Sequence, residues 1–323
     1  MADYKGIKGF KVQYLSADPS NLIIGQTWYN STSKNLKYTG VTTAGAWATG
    51  NPLNTTRYNL AGAGIQTAAL AFGGTPPITG ATEEYDGNSW TNSNSLNTAR
   101  NSLGGAGTQT ATLAFGGDTA TAPTGATEEY DGTSWVTSNS LNTARNKLTG
   151  AGTQTAGLAI AGGGAPYTGA TEEYDGNSWT NSNNMNTLRT QATGTGIQTA
   201  ALAFGGYTTA ATGATEEYNG TSWTSNPTNL NTARFSSGAA GTQTAALGFG
   251  GKSGVPAPTT ATEEYDGSTW TTVASLATAR SYLGGCGTQT SALAFGGEGP
   301  PPSSATEEWL GAGSPTTKTV TVS

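Results

Sequence analysis

The amino-acid sequence predicts an all-β protein, a six-bladed β-propeller with an N-terminal β-rich docking segment, and three observations predict it. One phrase recurs six times at nearly constant spacing. Each copy reads as short strands separated by glycine and Asp-Gly turns, with no helical periodicity. The Trp that should end the last copy stands instead before the first.

Arginine carries the spacing. Arg57, Arg100, Arg145, Arg189, Arg234 and Arg280 are the only arginines of the chain and lie 43, 45, 44, 45 and 46 residues apart. Trp47, Trp90, Trp135, Trp179 and Trp270 each stand ten residues before one of them, and Trp223 stands eleven before Arg234. A Gly-Gly pair begins sixteen residues after the Arg in five copies, while the third reads Ala161-Gly162-Gly163.

The second copy shows the elements in order. Residues 103–108 (LGGAGT) predict a small-residue strand and Gln109-Thr110 a polar turn. Ala111–Phe115 predicts a second strand, stopped by the Gly pair, and Thr127–Tyr130 a third. Asp131-Gly132 tolerates the positive φ of a tight hairpin, and Ser134-Trp135-Val136 begins the fourth strand. Four antiparallel strands, repeated, are the blades of a propeller. Its innermost strand crowds the axis, which explains side chains as small as Gly and Ala there. Cys286 occupies the slot of Ala63, Ala106, Ala151, Thr195 and Ala240 and is expected to be a buried filler. The sixth copy reaches Trp309 with no Trp after it. The strand around Trp47 is therefore expected to complete the last blade, with the tail at 317–323 as the other possible source of a strand. Closure leaves no long exposed sheet edge. The expected division is 1–46 as leader, 47–309 as propeller and 310–323 as tail strand.

Composition excludes several function classes. The 323 residues include 48 Gly, one Cys and no His, and 11% are charged. Imidazole catalysis and His-ligated metals are impossible, and one thiol builds no disulfide. The net charge of −6 comes without a Lys/Arg cluster, so nucleic acid is a poor partner. No apolar run of about 18 residues could span a bilayer, and the N-terminus lacks the apolar core of a secretory signal. No phosphate-binding loop, C-x-x-C or EF-hand series is present, and no cofactor is expected.

The Arg before the inner strand, the Gly-Gly pair after the second strand, and Tyr and Trp five residues apart (Tyr130 and Trp135) resemble the kelch repeat over residues 47–309. That resemblance implies a propeller that binds other macromolecules. The sugar-oxidase branch of kelch proteins needs Cys, Tyr and His around copper, which a chain without His does not supply.

The repeated residues read as structure. Pairs such as Glu83-Glu84 invite a general acid–base reading. Neighbours in a strand, however, face opposite sides, and chemistry needs one asymmetric constellation rather than six copies. The expectation is an Arg–Glu network between neighbouring blades, six Arg facing twelve Glu, with Trp and Tyr as inter-blade packing. Gln66, Gln109, Gln154, Gln198, Gln243 and Gln289 lie in the turn between the first two strands. They either grip a ligand at one channel mouth or cap their own turn, capping being the expected role. The loops after the Gly pairs differ most between copies, and variable tips on a rigid frame are where binding resides. Pro76, Asp118, Pro123, Tyr167, Tyr207, Lys252, Pro256 and Glu298 make up this candidate recognition face. A hydrolase using Asp118 or Glu298 is the weaker, enzymatic reading.

Residues 1–46 differ in texture. They hold five of the eight lysines (Lys5, Lys8, Lys11, Lys34, Lys37) and the alternating runs FKVQYL and LIIGQTWYNST. The stretch GQTWYNSTSKNLKYTG resembles segments of bacteriophage structural and tail-associated proteins. This resemblance implies a non-enzymatic virion protein made in the host cytoplasm, as a tail fibre or capsid decoration. Residues 1–46 would dock onto other virion proteins, and the propeller would meet a host surface glycan or protein. The competing expectation is a stand-alone kelch-type binding module, a lectin or an adaptor. Neither implies membrane insertion.

Overall fold

A computed structural model describes residues 12–41, 44–164, 166–254, 257–313 and 315–320. Lys5, Lys8, Lys11, Pro256 and the last three residues of the tail lie outside the described residues. Among the described residues there is no helix, and the strands form four-stranded sheets in a propeller-like arrangement. The chain divides into two compact units, one of residues 46–309 and one of residues 1–45 with 310–323.

In the larger unit, sheet one runs from its inner to its outer strand as Ala61–Ile65, Ala68–Phe72, Thr82–Tyr85 and Trp90–Ser93, each antiparallel to the next. The inner strands of sheets two to six are Gly104–Thr108, Thr149–Gly152, Thr193–Ile197, Gly238–Gly241 and Gly284–Thr288. They neighbour one another in a cycle that returns from the sixth to the first. Sheet six takes its outer strand, Ala46–Gly50, from ahead of the first copy, beside Thr306–Leu310. The tail strand Pro315–Thr319 pairs instead with Asn35–Val41 in the smaller unit.

Each sheet is fastened to the preceding one by the repeat Trp. Its indole N–H donates to a buried Thr hydroxyl on the preceding third strand. The pairs are Trp135 to Thr82, Trp179 to Thr127, Trp223 to Thr171, Trp270 to Thr215, Trp47 to Thr262 and Trp90 to Thr306, all at 2.9–3.0 Å. In five of the six the indole also covers the preceding Phe, as Trp135 does Phe72 at 5.1 Å between centroids, while sheet three carries Ile160 in that position.

The six glutamines are a second set of fasteners, which corrects the expectation of turn caps. Gln109 Nε2 crosses to the preceding sheet and donates to the carbonyls of Ala69 and Tyr85 at 3.1 and 2.7 Å. Gln66 does the same to Ala292 and Trp309 at 3.0 and 2.7 Å, across the join between sheets six and one. A primary amide has two donor hydrogens, and the neighbouring sheet presents two carbonyls within their reach.

The arginines depart from expectation too. Arg57 pairs with Glu83 at 3.1 Å, and Arg100–Glu128, Arg145–Glu172, Arg189–Glu216, Arg234–Glu263 and Arg280–Glu307 repeat the pair. Each joins the segment before an inner strand to the third strand of the same sheet, so the network lies within sheets rather than between them. All twelve side chains are buried. Only the first Glu of each doublet is used this way. The second faces the other side, as strand alternation requires, and accepts the phenol O–H of the following sheet. Tyr174 donates to Glu129 and Tyr265 to Glu217 at 2.5 Å, with Tyr85 to Glu308 across the join. Trp309 stands where sheet six should carry that Tyr, so Glu264 lacks the bond and burial raises its pKa.

Burial, with Glu129 beside it, raises the Tyr174 phenol to about 12 from an ordinary 10.0. A group whose folded pKa lies above its unfolded value contributes stability that is complete below the unfolded pKa and lost as pH rises through the folded one. Unfolding free energy should therefore fall between pH 10 and 12. Tyr174→Phe should flatten part of that fall and lower the neutral plateau by about 1–2 kcal/mol. Denaturant titrations across this range check it, and an unchanged alkaline slope contradicts it.

Glycine on the inner strands permits close approach of the sheets. A Cβ on Gly105 would stand 2.7 Å from the Phe72 ring and 3.2 Å from the Gly62 carbonyl oxygen of the preceding sheet. Sheet five carries Ala239 in this slot, and its register partner, Ala in the other five sheets, is Gly248. A Cβ on Gly248 would lie 2.7 Å from the Phe204 ring. The methyl gained at one position is thus matched by the methyl lost at the other. Gly248→Ala should cost about 1–3 kcal/mol by overpacking, and adding Ala239→Gly should recover most of it. Additive losses in a double-mutant cycle would rule out the compensation.

In the smaller unit Gln13–Leu15 lies parallel to Thr27–Asn30, and Thr27–Asn30 antiparallel to Asn35–Val41. Asp18 fastens this sheet, accepting from Lys37 at 2.6 Å, Asn30 at 2.7 Å and Trp28 at 3.1 Å. The Lys37 ammonium, then the Asn30 amide, pull its carboxyl down to about 2.

Candidate functional site

The copies stop resembling one another at one end of the inner strands. Two residues after each repeat Arg come Asn59, Ser102, Lys147, Gln191, Ser236 and Tyr282. All six are left-handed, with φ between 53° and 55°, a conformation that residues with side chains adopt only when the surroundings enforce it. A closed circle of backbone hydrogen bonds enforces it here. Ser102 N–H donates to the Asn59 carbonyl, Lys147 to Ser102, Gln191 to Lys147, Ser236 to Gln191 and Tyr282 to Ser236, at 2.8–3.0 Å. Asn59 N–H then donates to Tyr282 at 2.9 Å and completes the ring. These residues and the first turns of the inner strands line a cavity of about 160 Å³.

Several of the sequence-predicted loop residues arrive at the same end. Asp118, Tyr207, Lys252 and Glu298 directly follow the Gly pairs and bridge to Asn101, Thr190, Phe235 and Ser281, each one residue after a repeat Arg. Pro123 bridges to Asp118. Tyr167 meets the Tyr207 ring at 6.1 Å, and Tyr207 meets Phe235 at 5.3 Å. Pro76 sits farther along the loop of sheet one, and neither it nor the other loop residues named here line the cavity.

Tyr282 is held from three sides. Lys252 Nζ lies 4.9 Å from its ring centroid while pairing with Glu298 at 2.5 Å. Gln191 Nε2 donates to its hydroxyl at 3.1 Å, and the Tyr58 ring lies at 6.4 Å. Lys147, by contrast, is exposed and makes no ion pair among the described residues.

No protein-family model matches the chain, and no curated protein matches it in sequence.

The polar groups at this mouth are already engaged in different ways. Asp118 accepts from Asn146 at 2.6 Å, and Glu298 is paired with Lys252 on a different sheet, so the two carboxylates of the hydrolase reading are not brought together. Among the described residues no three Asp, Glu or Cys side chains are placed to hold a metal ion. The Cys286 thiol is buried on an inner strand, and burial pushes it up to about 12. What the mouth offers is amides, hydroxyls, an ammonium and an aromatic face. Apart from arginine nitrogens, the buried polar side-chain atoms that lack a partner among the described residues of the larger unit are Asn146 Oδ1, Thr190 Oγ1, Ser236 Oγ and Ser281 Oγ. All four stand one or two residues after a repeat Arg, and buried polar groups ordinarily find partners. The sequence reading missed the left-handed ring: the second residue after each Arg varies from copy to copy, but so does the first, so variation alone did not single it out.

Proposed function

We propose that the chain is a six-bladed, kelch-type propeller that acts without catalysis, presenting the ring mouth as a recognition face on a bacteriophage virion. The contrast between copies carries the reading. Residues that hold the sheets together recur throughout, whereas those at the mouth and after the Gly pairs differ from copy to copy. Near-identical frames bearing different side chains give one asymmetric surface on a rigid support.

The smaller unit suits attachment to other virion proteins. Its stretch GQTWYNSTSKNLKYTG resembles phage tail-associated segments, and it exposes Tyr14, Ile23 and Ile24 to 75, 64 and 60%. Exposed large apolar groups grouped in one unit favour protein association. On a tail or capsid the larger unit then faces a host surface glycan or protein.

Mass spectrometry of purified virions should find the chain as a structural component. Its absence from particles would leave the stand-alone kelch-type module, lectin or adaptor, as the reading. Ser102→Tyr, which places at the mouth the residue that sheet six already carries in this slot, should abolish adsorption of particles to cells without unfolding the chain.

A further inference from the structure

The mouth has two unlike sides, and from them we infer that it takes an acidic saccharide, a sugar ring bearing a carboxylate. This inference rests on the recognition-face reading above and gives it a ligand class.

In the hydrogen-bonded ring Lys147 is third and Tyr282 sixth, three steps apart in either direction. The two therefore face each other across the cavity. Tyr282 is the one aromatic among the six, and Lys252, Gln191 and Tyr58 fix its orientation. An aromatic face held in place loses little freedom on binding and suits the C–H face of a pyranose. The Lys252 charge on that side is neutralised by Glu298 at 2.5 Å. Lys147 on the far side is an uncompensated cation and selects for an anionic group.

Between the two sides lie Asn59, Ser102, Gln191 and Ser236. Amides and hydroxyls donate and accept together, as sugar hydroxyls do. Ser236 lines this cavity, and its covered hydroxyl has no hydrogen-bond partner among the described residues. A single unpaired ammonium is too little charge to follow a nucleic-acid backbone, and an apolar ligand would strand these polar groups. A sugar carboxylate at Lys147 with the ring against Tyr282 uses every feature of the mouth.

Calorimetric titration of the full chain with glucuronate and with glucose tests this. Glucuronate should bind at least about tenfold more tightly than glucose. Lys147→Gln should erase that preference by weakening glucuronate alone. Tyr282→Ala should weaken both sugars, while Tyr282→Phe, which keeps the ring, should retain both and guards against a folding defect. Equal affinities in the native chain, no binding of either sugar, or a Lys147→Gln variant that still prefers glucuronate would overturn the proposal. Ser102→Tyr separates the two levels. If it abolishes adsorption while neither sugar binds, the ligand class is wrong and the recognition face stands. If adsorption survives it, the face itself is wrong, and the ligand class falls with it.

Discussion

Arg145→Ala is expected to lower the unfolding free energy by about 3–5 kcal/mol, the cost of leaving one partner of a buried ion pair behind. The guanidinium is enclosed. It bonds Glu172 through Nη1, donates from Nε to the Ala161 carbonyl at 3.0 Å and from Nη2 to the Ala159 carbonyl at 3.4 Å. Truncation leaves the Glu172 carboxylate buried, with the Asn142 N–H at 2.7 Å as its remaining close donor. An exposed pair would be worth only about 0–1 kcal/mol, so the size of the loss separates the two situations. Arg145→Lys keeps the charge without the planar fork and should fall between the native chain and Arg145→Ala. Guanidinium denaturation followed by tryptophan fluorescence measures both variants. A loss below about 1 kcal/mol for Arg145→Ala would show that the pair does not hold the sheet together.

Trp135→Ala should cost a similar amount, about 3–5 kcal/mol, by emptying the seam between sheets one and two. The indole is 5% exposed, lies 5.1 Å from Phe72 and 5.0 Å from Tyr130, and donates to Thr82 at 3.0 Å. Its neighbour Val136 points the other way and is 60% exposed. Val136→Ala should therefore stay within about 0.5 kcal/mol. The pair of substitutions, one residue apart, tests strand alternation as well as the seam. Comparable losses at both positions in thermal denaturation would contradict the packing described for this strand.

Much of the architecture was legible because the repeat multiplies weak signals. One Gly-rich strand says little, but Arg, Gly-Gly and Trp at nearly constant offsets in six copies locate the six sheets of the larger unit, and the displaced Trp47 points to where the outer strand of sheet six comes from. Strand alternation placed Glu83 and Glu84 on opposite faces but did not tell which of the two meets the Arg. Contact partners were less legible. Sequence distance does not tell whether Arg57 meets Glu83 on its own sheet or a Glu on the next. The position of Gln109 in a turn was readable, but the destination of its amide, two carbonyls on another sheet, depends on how sheets stack. The ring at the mouth was hidden for a different reason. Ser, Lys, Gln and Tyr have no preference for positive φ, so only the circle of hydrogen bonds between sheets reveals why they adopt it.

Closure of that circle underlies every other feature, because an open stack would have neither a mouth nor a seam between sheets six and one. Native-state amide hydrogen exchange reads it residue by residue. The Asn59 amide, which donates to Tyr282 across the join at 2.9 Å, should be protected to the same degree as the amides of Ser102, Lys147, Gln191, Ser236 and Tyr282. Rapid exchange at Asn59 while the other five remain protected would mean that the ring is open.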